Sequence, residues 1–63
     1  MSEREINVLN LVANGHSNKA IALKLSISDE TVKAHLKSIF LKLDVADRTH
    51  AVTMAARRGF IQL

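Results

Sequence analysis

Only three residues, Ser26, Ile27 and Ser28, separate two stretches whose apolar residues recur at helical spacing. A gap this short holds a turn and no loop, so the two helices must cross directly, with the single apolar turn residue, Ile27, buried at the crossing. A short helix, a tight turn and a longer helix make a helix-turn-helix. Ala22 agrees with that geometry, because closely crossing helices leave room only for a small side chain.

The rest of the chain supplies two more helices with legible ends. Ser2, with Glu5 three residues on, forms a capping box in front of the apolar run Val8, Leu9, Leu11 and Val12, and Gly15 provides a left-handed stop. Ser17 is the hydroxyl cap of the second helix, which carries Ile21, Ala22 and Leu25 on one side and ends near Leu25. Ser28, with Asp29 and Glu30 in the first turn, starts the third helix, expected over 29–43. At about 100° per residue, Val32, Leu36, Ile39, Phe40 and Leu43 form a core arc, and Glu30, Lys33, Ala34, Lys37, Ser38 and Leu41 form a free one. Asp44, Val45 and Ala46 bridge to Asp47, which caps a last helix expected over 48–58 and closed by Gly59. On it Arg48, Ala51, Val52 and Ala55 face inward, and His50, Met54 and Arg57 face away. With no repeat or linker, the reading is one all-α, four-helix helix-turn-helix domain over 1–63.

Composition narrows the function. A chain of 63 residues buries only ~60% of the surface it exposes when unfolded, and without Cys it has neither disulfides nor a cysteine zinc site to staple it. No apolar run approaches the ~18–20 residues of a membrane span and no basic-then-apolar leader opens the chain, so the expected location is the cytoplasm. His16, His35 and His50 lie on separate segments without ligand spacing, and His35 borders the core arc as a packed or capping residue. No serine has an acid and a base arranged around it, there is no Gly-rich phosphate loop, and the domain is too small for an enclosed substrate pocket. An enzyme, a metal and a cofactor are therefore not expected. Two Phe at core-like positions also lack the aromatic platforms that single-stranded RNA needs.

The net charge of +3 is unevenly spread. Residues 16–43 hold five lysines, Lys19, Lys24, Lys33, Lys37 and Lys42, against Asp29 and Glu30, whereas the segments on either side are nearly balanced. A concentrated basic face suits a polyanion, since neutralising phosphates releases counterions. The third helix opens its free face with Lys33, Ala34 and Lys37, so its N-terminal half can enter a DNA major groove. Lysine donates to guanine O6 and N7, and the Ala34 methyl can approach a thymine methyl. Thr31, Ser28, Lys19 and the first amides of the second helix are of the type that hold phosphates. The competing reading is a solvated face in which Lys33 and Lys37 simply pair with Asp29 and Glu30. An acidic membrane would want bulky apolar anchors on an isolated helix, so no membrane partner is expected.

Arg4-Glu5, Val8-Leu9, Leu11-Val12-Ala13, Gly15, Ser17-Asn18-Lys19, Ile21-Ala22, Leu25, Ile27-Ser28 and Thr31-Val32-Lys33 together resemble the LuxR/NarL/FixJ-type DNA-binding domain. His35, Ile39-Phe40, Lys42-Leu43, Val45, Arg48, Ala51-Val52, Ala55 and Gly59-Phe60-Ile61 continue that resemblance without a gap to the end of the chain. It implies a bacterial transcription regulator that binds double-stranded promoter DNA as a dimer. Base reading falls on Lys33, Ala34 and Lys37, and backbone holding on Ser17, Asn18, Lys19, Thr31 and Lys42. Dimerisation falls on His50, Thr53, Met54 and Arg57 of the last helix, a small surface that implies a weak homodimer for this domain alone. The resemblance also implies a structural ion pair between Glu5 and Arg48, and it leaves two settings open, a free-standing regulator or, the one favoured, the output part of a longer chain in which an N-terminal receiver or ligand-sensing domain precedes this one. RNA polymerase is a further partner it admits. Departures from the pattern are Ile6 and Asn7 for a charged pair, Ala20 for an acid that completes the Ser17 cap, and Leu23 and Leu41 at positions usually polar. The leucines are read as scattered surface residues.

Two alternatives stand beside this reading. A sigma-factor region-four-like module also opens a helix with Thr-Val-Lys, but has no use for the Gly59-Phe60-Ile61 ending. A protein-interaction module could use the same fold to pair with a receiver, with polymerase or with its own copy.

Overall fold

Every helix begins on a side-chain oxygen. Ser2 Oγ accepts from the Glu5 amide, Ser17 Oγ from Ala20, Ser28 Oγ from Thr31, and an Asp47 carboxylate oxygen from His50, at 2.8–3.1 Å. Each cap satisfies one of the amides that a helix start leaves without an internal partner. The helices so started are α1 (Glu3–Ala13), α2 (Asn18–Leu25), α3 (Asp29–Leu43) and α4 (Arg48–Arg57) in a computed structural model that describes residues 1–63. There is no strand, and the expected all-α helix-turn-helix is the fold observed. Arg58, placed inside the last helix by the sequence reading, is its C-cap. Ala20 has no side-chain acceptor to return the Ser17 bond, yet the forward half of that cap forms.

The helix ends also share one device. A residue with positive φ follows each helix: Gly15 (84°), Ser26 (57°), Asp44 (56°) and Gly59 (80°). The next amide then bonds back five residues, His16 to the Leu11 carbonyl, Ile27 to Ala22, Val45 to Phe40 and Phe60 to Ala55, at 2.9–3.0 Å. This closure reverses the chain within two residues, and after α2, α3 and α4 it drops an apolar side chain, Ile27, Val45 or Phe60, onto the rim of the core. Ile27, expected to be buried at the crossing, is half-buried there and packs on the core from its rim. Twelve residues make the core, among them Leu9 of α1, Ile21 of α2, Val32, Ile39 and Leu43 of α3, and Ala51 and Ala55 of α4. The two alanines let α4 approach closely.

Glu5 is the one charged residue in this interior, 4% exposed. Its Oε1 accepts from the Ser2 amide at 2.9 Å and from Lys42 Nζ at 2.7 Å, and its Oε2 accepts from Ser38 Oγ at 2.7 Å. The expected Glu5–Arg48 pair is therefore not formed. Glu5 lies in the first turn of α1, whereas Arg48 lies beside the α1–α2 turn, eight residues and about 12 Å of helix farther on from Glu5 to Ala13 alone. Lys42 and Ser38, four apart on α3, present one flank to α1 and reach Glu5 first. Ser38, read as part of the free arc, belongs to this seam. The Lys42 ammonium, the Ser2 amide and the Ser38 hydroxyl hold the Glu5 carboxyl at about 2, below its ordinary 4.5, against burial, which acts the other way.

A carboxyl whose pKa is lowered on folding stabilises the protein above its unfolded pKa, and that contribution fades as pH falls through the folded value. Stability should therefore decline between about pH 4.5 and about pH 2. Half of the Lys42 side chain is in water, which limits the contribution to about 1–2 kcal/mol. Glu5→Gln should be less stable than the parent by that amount at pH 6, and the gap should close towards pH 2 in denaturant unfolding; a gap independent of pH would refute the assignment. Asp44 sets an L residue in the left-handed region and a negative charge at a helix C-terminus. Asp44→Gly should raise unfolding stability by about 1 kcal/mol, and an unchanged denaturation midpoint would show that the turn stores no strain.

Candidate nucleic-acid interface

The core fixes which side of α3 is left over. Val32, Leu36, Ile39 and Leu43 are buried, Ser38 and Lys42 turn to α1, and the remaining line of Lys33, Ala34, Lys37 and Leu41 is exposed. The beginning of this helix is held firmly: Ser28 Oγ accepts from the Thr31 amide and lies 2.9 Å from Thr31 Oγ1. Glu30 is 3.9 Å from Lys33 Nζ with both side chains largely in water. An ion pair that long and exposed is worth little, so Lys33 remains free to exchange Glu30 for a phosphate or a base.

The N-terminus of α2 lies beside that line. Asn18, Lys33, Lys37 and Arg48 surround a shallow depression of about 420 Å³, with Leu36, Phe40, Leu41 and Val45 as its apolar part. Ser17 and Lys19 are exposed and Asn18 is half-buried. Arg48 explains the position of Asn18: its guanidinium donates to Asn18 Oδ1 and, at 2.8 Å, to the His16 carbonyl. An arginine offers only donors, so the Asn18 oxygen must face it and the amide NH₂ is turned to the other side. The His16 ring donates from Nδ1 to the Leu11 carbonyl at 3.1 Å, completing the α1–α2 corner against which Arg48 rests.

The sequence-predicted residues thus fall into separate groups. Lys33, Ala34 and Lys37 share the free line of α3, and Ser17, Asn18 and Lys19 cluster at the start of α2, with Thr31 on the first turn of α3. Lys42, named with the backbone-holding residues, faces away from this cluster and is engaged by Glu5. His50, Thr53 and Arg57 are exposed on α4, with Met54 half-buried among them, and the Thr53 hydroxyl is spent on the Thr49 carbonyl. The Arg48–Asn18 link and the apolar floor went unread in the sequence; the only signal was that Arg48 and Asn18 each begin a helix. No helix is long and apolar enough to cross a membrane.

A family described as bacterial regulatory proteins, luxR family, matches residues 1–55. The transcriptional regulatory protein YhcZ of Bacillus subtilis is 49% identical over 57 residues, which are 90% of this chain and 27% of that protein. Response regulator protein VraR of Staphylococcus aureus is 45% identical over 62 residues, 98% of this chain and 30% of VraR. The crystal structure of the response regulator ChrA of a heme-sensing two-component system superposes with a TM-score of 0.94 at 47% identity, over 95% of this chain and 30% of ChrA. The chain spans less than a third of the length of each of these proteins. It belongs to the luxR family of bacterial regulatory proteins, and its four helices are the helix-turn-helix domain of that family.

Proposed function

We propose that residues 1–63 act as a sequence-specific double-stranded DNA-binding domain, the output part of a response regulator, with α3 in the major groove. The observation that carries this reading is the free line of α3, where Lys33, Ala34 and Lys37 stand clear of the core next to the start of α2. In this reading the lysines donate to base edges, guanine O6 and N7 above all. Ser17, the outward NH₂ of Asn18, Lys19, Thr31 and the first amides of α2 hold the phosphate backbone and set the register. Lys42 is left out of that set, since its charge is neutralised by Glu5. Duplex recognition by a helix-turn-helix commonly uses two copies, and we assign the pairing to α4 through His50, Thr53, Met54 and Arg57. One short helix offers a small, lightly apolar surface, so the pairing is weak in this domain alone. A receiver domain joined on the N-terminal side would control it in the longer regulator. The protein-interaction reading gives no use for two exposed lysines aligned on one helix face, one of them held only by a long, solvated pair with Glu30.

Selection of bound duplexes from a random pool at two salt concentrations tests the proposal. The parent should enrich a palindromic motif and lose affinity steeply with salt. Lys33→Ala should lose ~1–3 kcal/mol of specific binding and its preference at one base pair of each half-site. Met54→Asp should bind half-sites with the parent's base preference but no longer select their pairing. A salt slope without any motif would assign the specificity elsewhere, and no binding at all would favour a protein partner.

A further inference from the structure

We infer that Leu41 is a specificity residue that packs on the C5 methyl of a thymine at the outer edge of the half-site, an inference that rests on the duplex-binding reading above. Three large apolar side chains stand in water, Leu23, Leu41 and Leu63, and Leu41 is the one on the free line of α3, 75% exposed. It is half a turn out of phase with the buried Val32, so it points directly away from the core. Lys33, Lys37 and Leu41 are spaced four apart, so their Cα atoms span about 12 Å along the helix, the rise of three to four base pairs. If α3 lies along the groove past its N-terminal half, the orientation this inference requires, setting Lys33 and Lys37 against base edges brings Leu41, in the last turn of the helix, to the next step.

The surroundings of Leu41 say what it can meet there. Phe40 and Val45 extend its apolar surface into the depression floor, and Lys33 and Lys37 stand at the rim. Cations around an apolar patch complement a ligand that is anionic outside and apolar at one point within. On the base edges of the major groove the one apolar group is the thymine methyl. A leucine at this position offers no hydrogen bond to a base edge, but it discriminates thymine from cytosine, which presents an amino group and no methyl. Covering one methyl is worth about fourfold in affinity.

The test takes the duplex selected by the 63-residue chain and replaces each thymine in turn by uracil, which removes only the C5 methyl. Binding of the parent is compared with that of Leu41→Ala and Leu41→Lys, whose thermal unfolding should match the parent because residue 41 touches no core. One thymine, beyond the base pair lost in Lys33→Ala on the Lys37 side, should show an about fourfold penalty for uracil in the parent and none in Leu41→Ala. Leu41→Lys should lose the same discrimination while its salt slope rises by about one. A uracil penalty that is the same with leucine and alanine, or absent at every position, would overturn the assignment while leaving duplex binding intact. A Leu41→Ala loss that is equal on thymine and uracil duplexes would overturn it in favour of deoxyribose packing. Failure to select any motif would remove the duplex reading itself, and this inference with it.

Discussion

One carboxylate holds the first and third helices in register. Glu5 closes the start of α1 by returning a bond to the Ser2 amide, and the same group takes Ser38 and Lys42 from α3. An unpaired charge at that depth would be costly, whereas this one has three donors and no buried polar side-chain atom is left unsatisfied. The consequence for α3 is rotational. With Ser38 and Lys42 drawn to α1 and the aliphatic arc drawn to the core, only one line of side chains can face outward. The basic line is thus set by what the helix does on its other two sides.

The second constraint is the economy of the turns. A domain with so few buried residues has little apolar surface to spend, and long loops would order many residues without adding to the core. Equivalent closures after all four helices keep each connection between helices to three or four residues and, in three cases, return an apolar side chain to the rim of the interior. The helix-turn-helix is then one instance of a device used throughout the molecule, made distinctive by the length and charge of the helix that follows it.

Much of this was legible in the sequence because it is local. Ser2, Ser17, Ser28 and Asp47 announce helix starts whatever the tertiary fold, and the arc of Val32, Leu36, Ile39 and Leu43 follows from periodicity alone. What was not legible depends on which remote groups meet. A buried glutamate asks for a cation, and the chain offers several; the choice of Lys42 over Arg48 is settled by where α3 and α4 cross α1. Ser38 looked free for the same reason, since a hydroxyl carries no hydropathy signal that reveals a buried acceptor. The left-handed residues Ser26 and Asp44 were missed because the usual glycine is absent there, although the apolar Ile27 and Val45 just beyond are the other half of that closure. Of the candidate interface, the exposed lysine line was readable from periodicity and charge, whereas the orientation of Asn18 by Arg48 required two helix starts to be seen side by side.

That last contact bears on how two such domains would sit on one duplex. Arg48 begins α4, and it grips both the corner before α2 and the first residue of α2. The helix assigned to pairing is thereby clamped to the helix assigned to the phosphates, with no flexible segment between them. Two copies joined through α4 would behave as a caliper of set opening. In such a pair the number of base pairs between half-sites would be a selective quantity in its own right, read by the stiffness of the protein and by no single base contact.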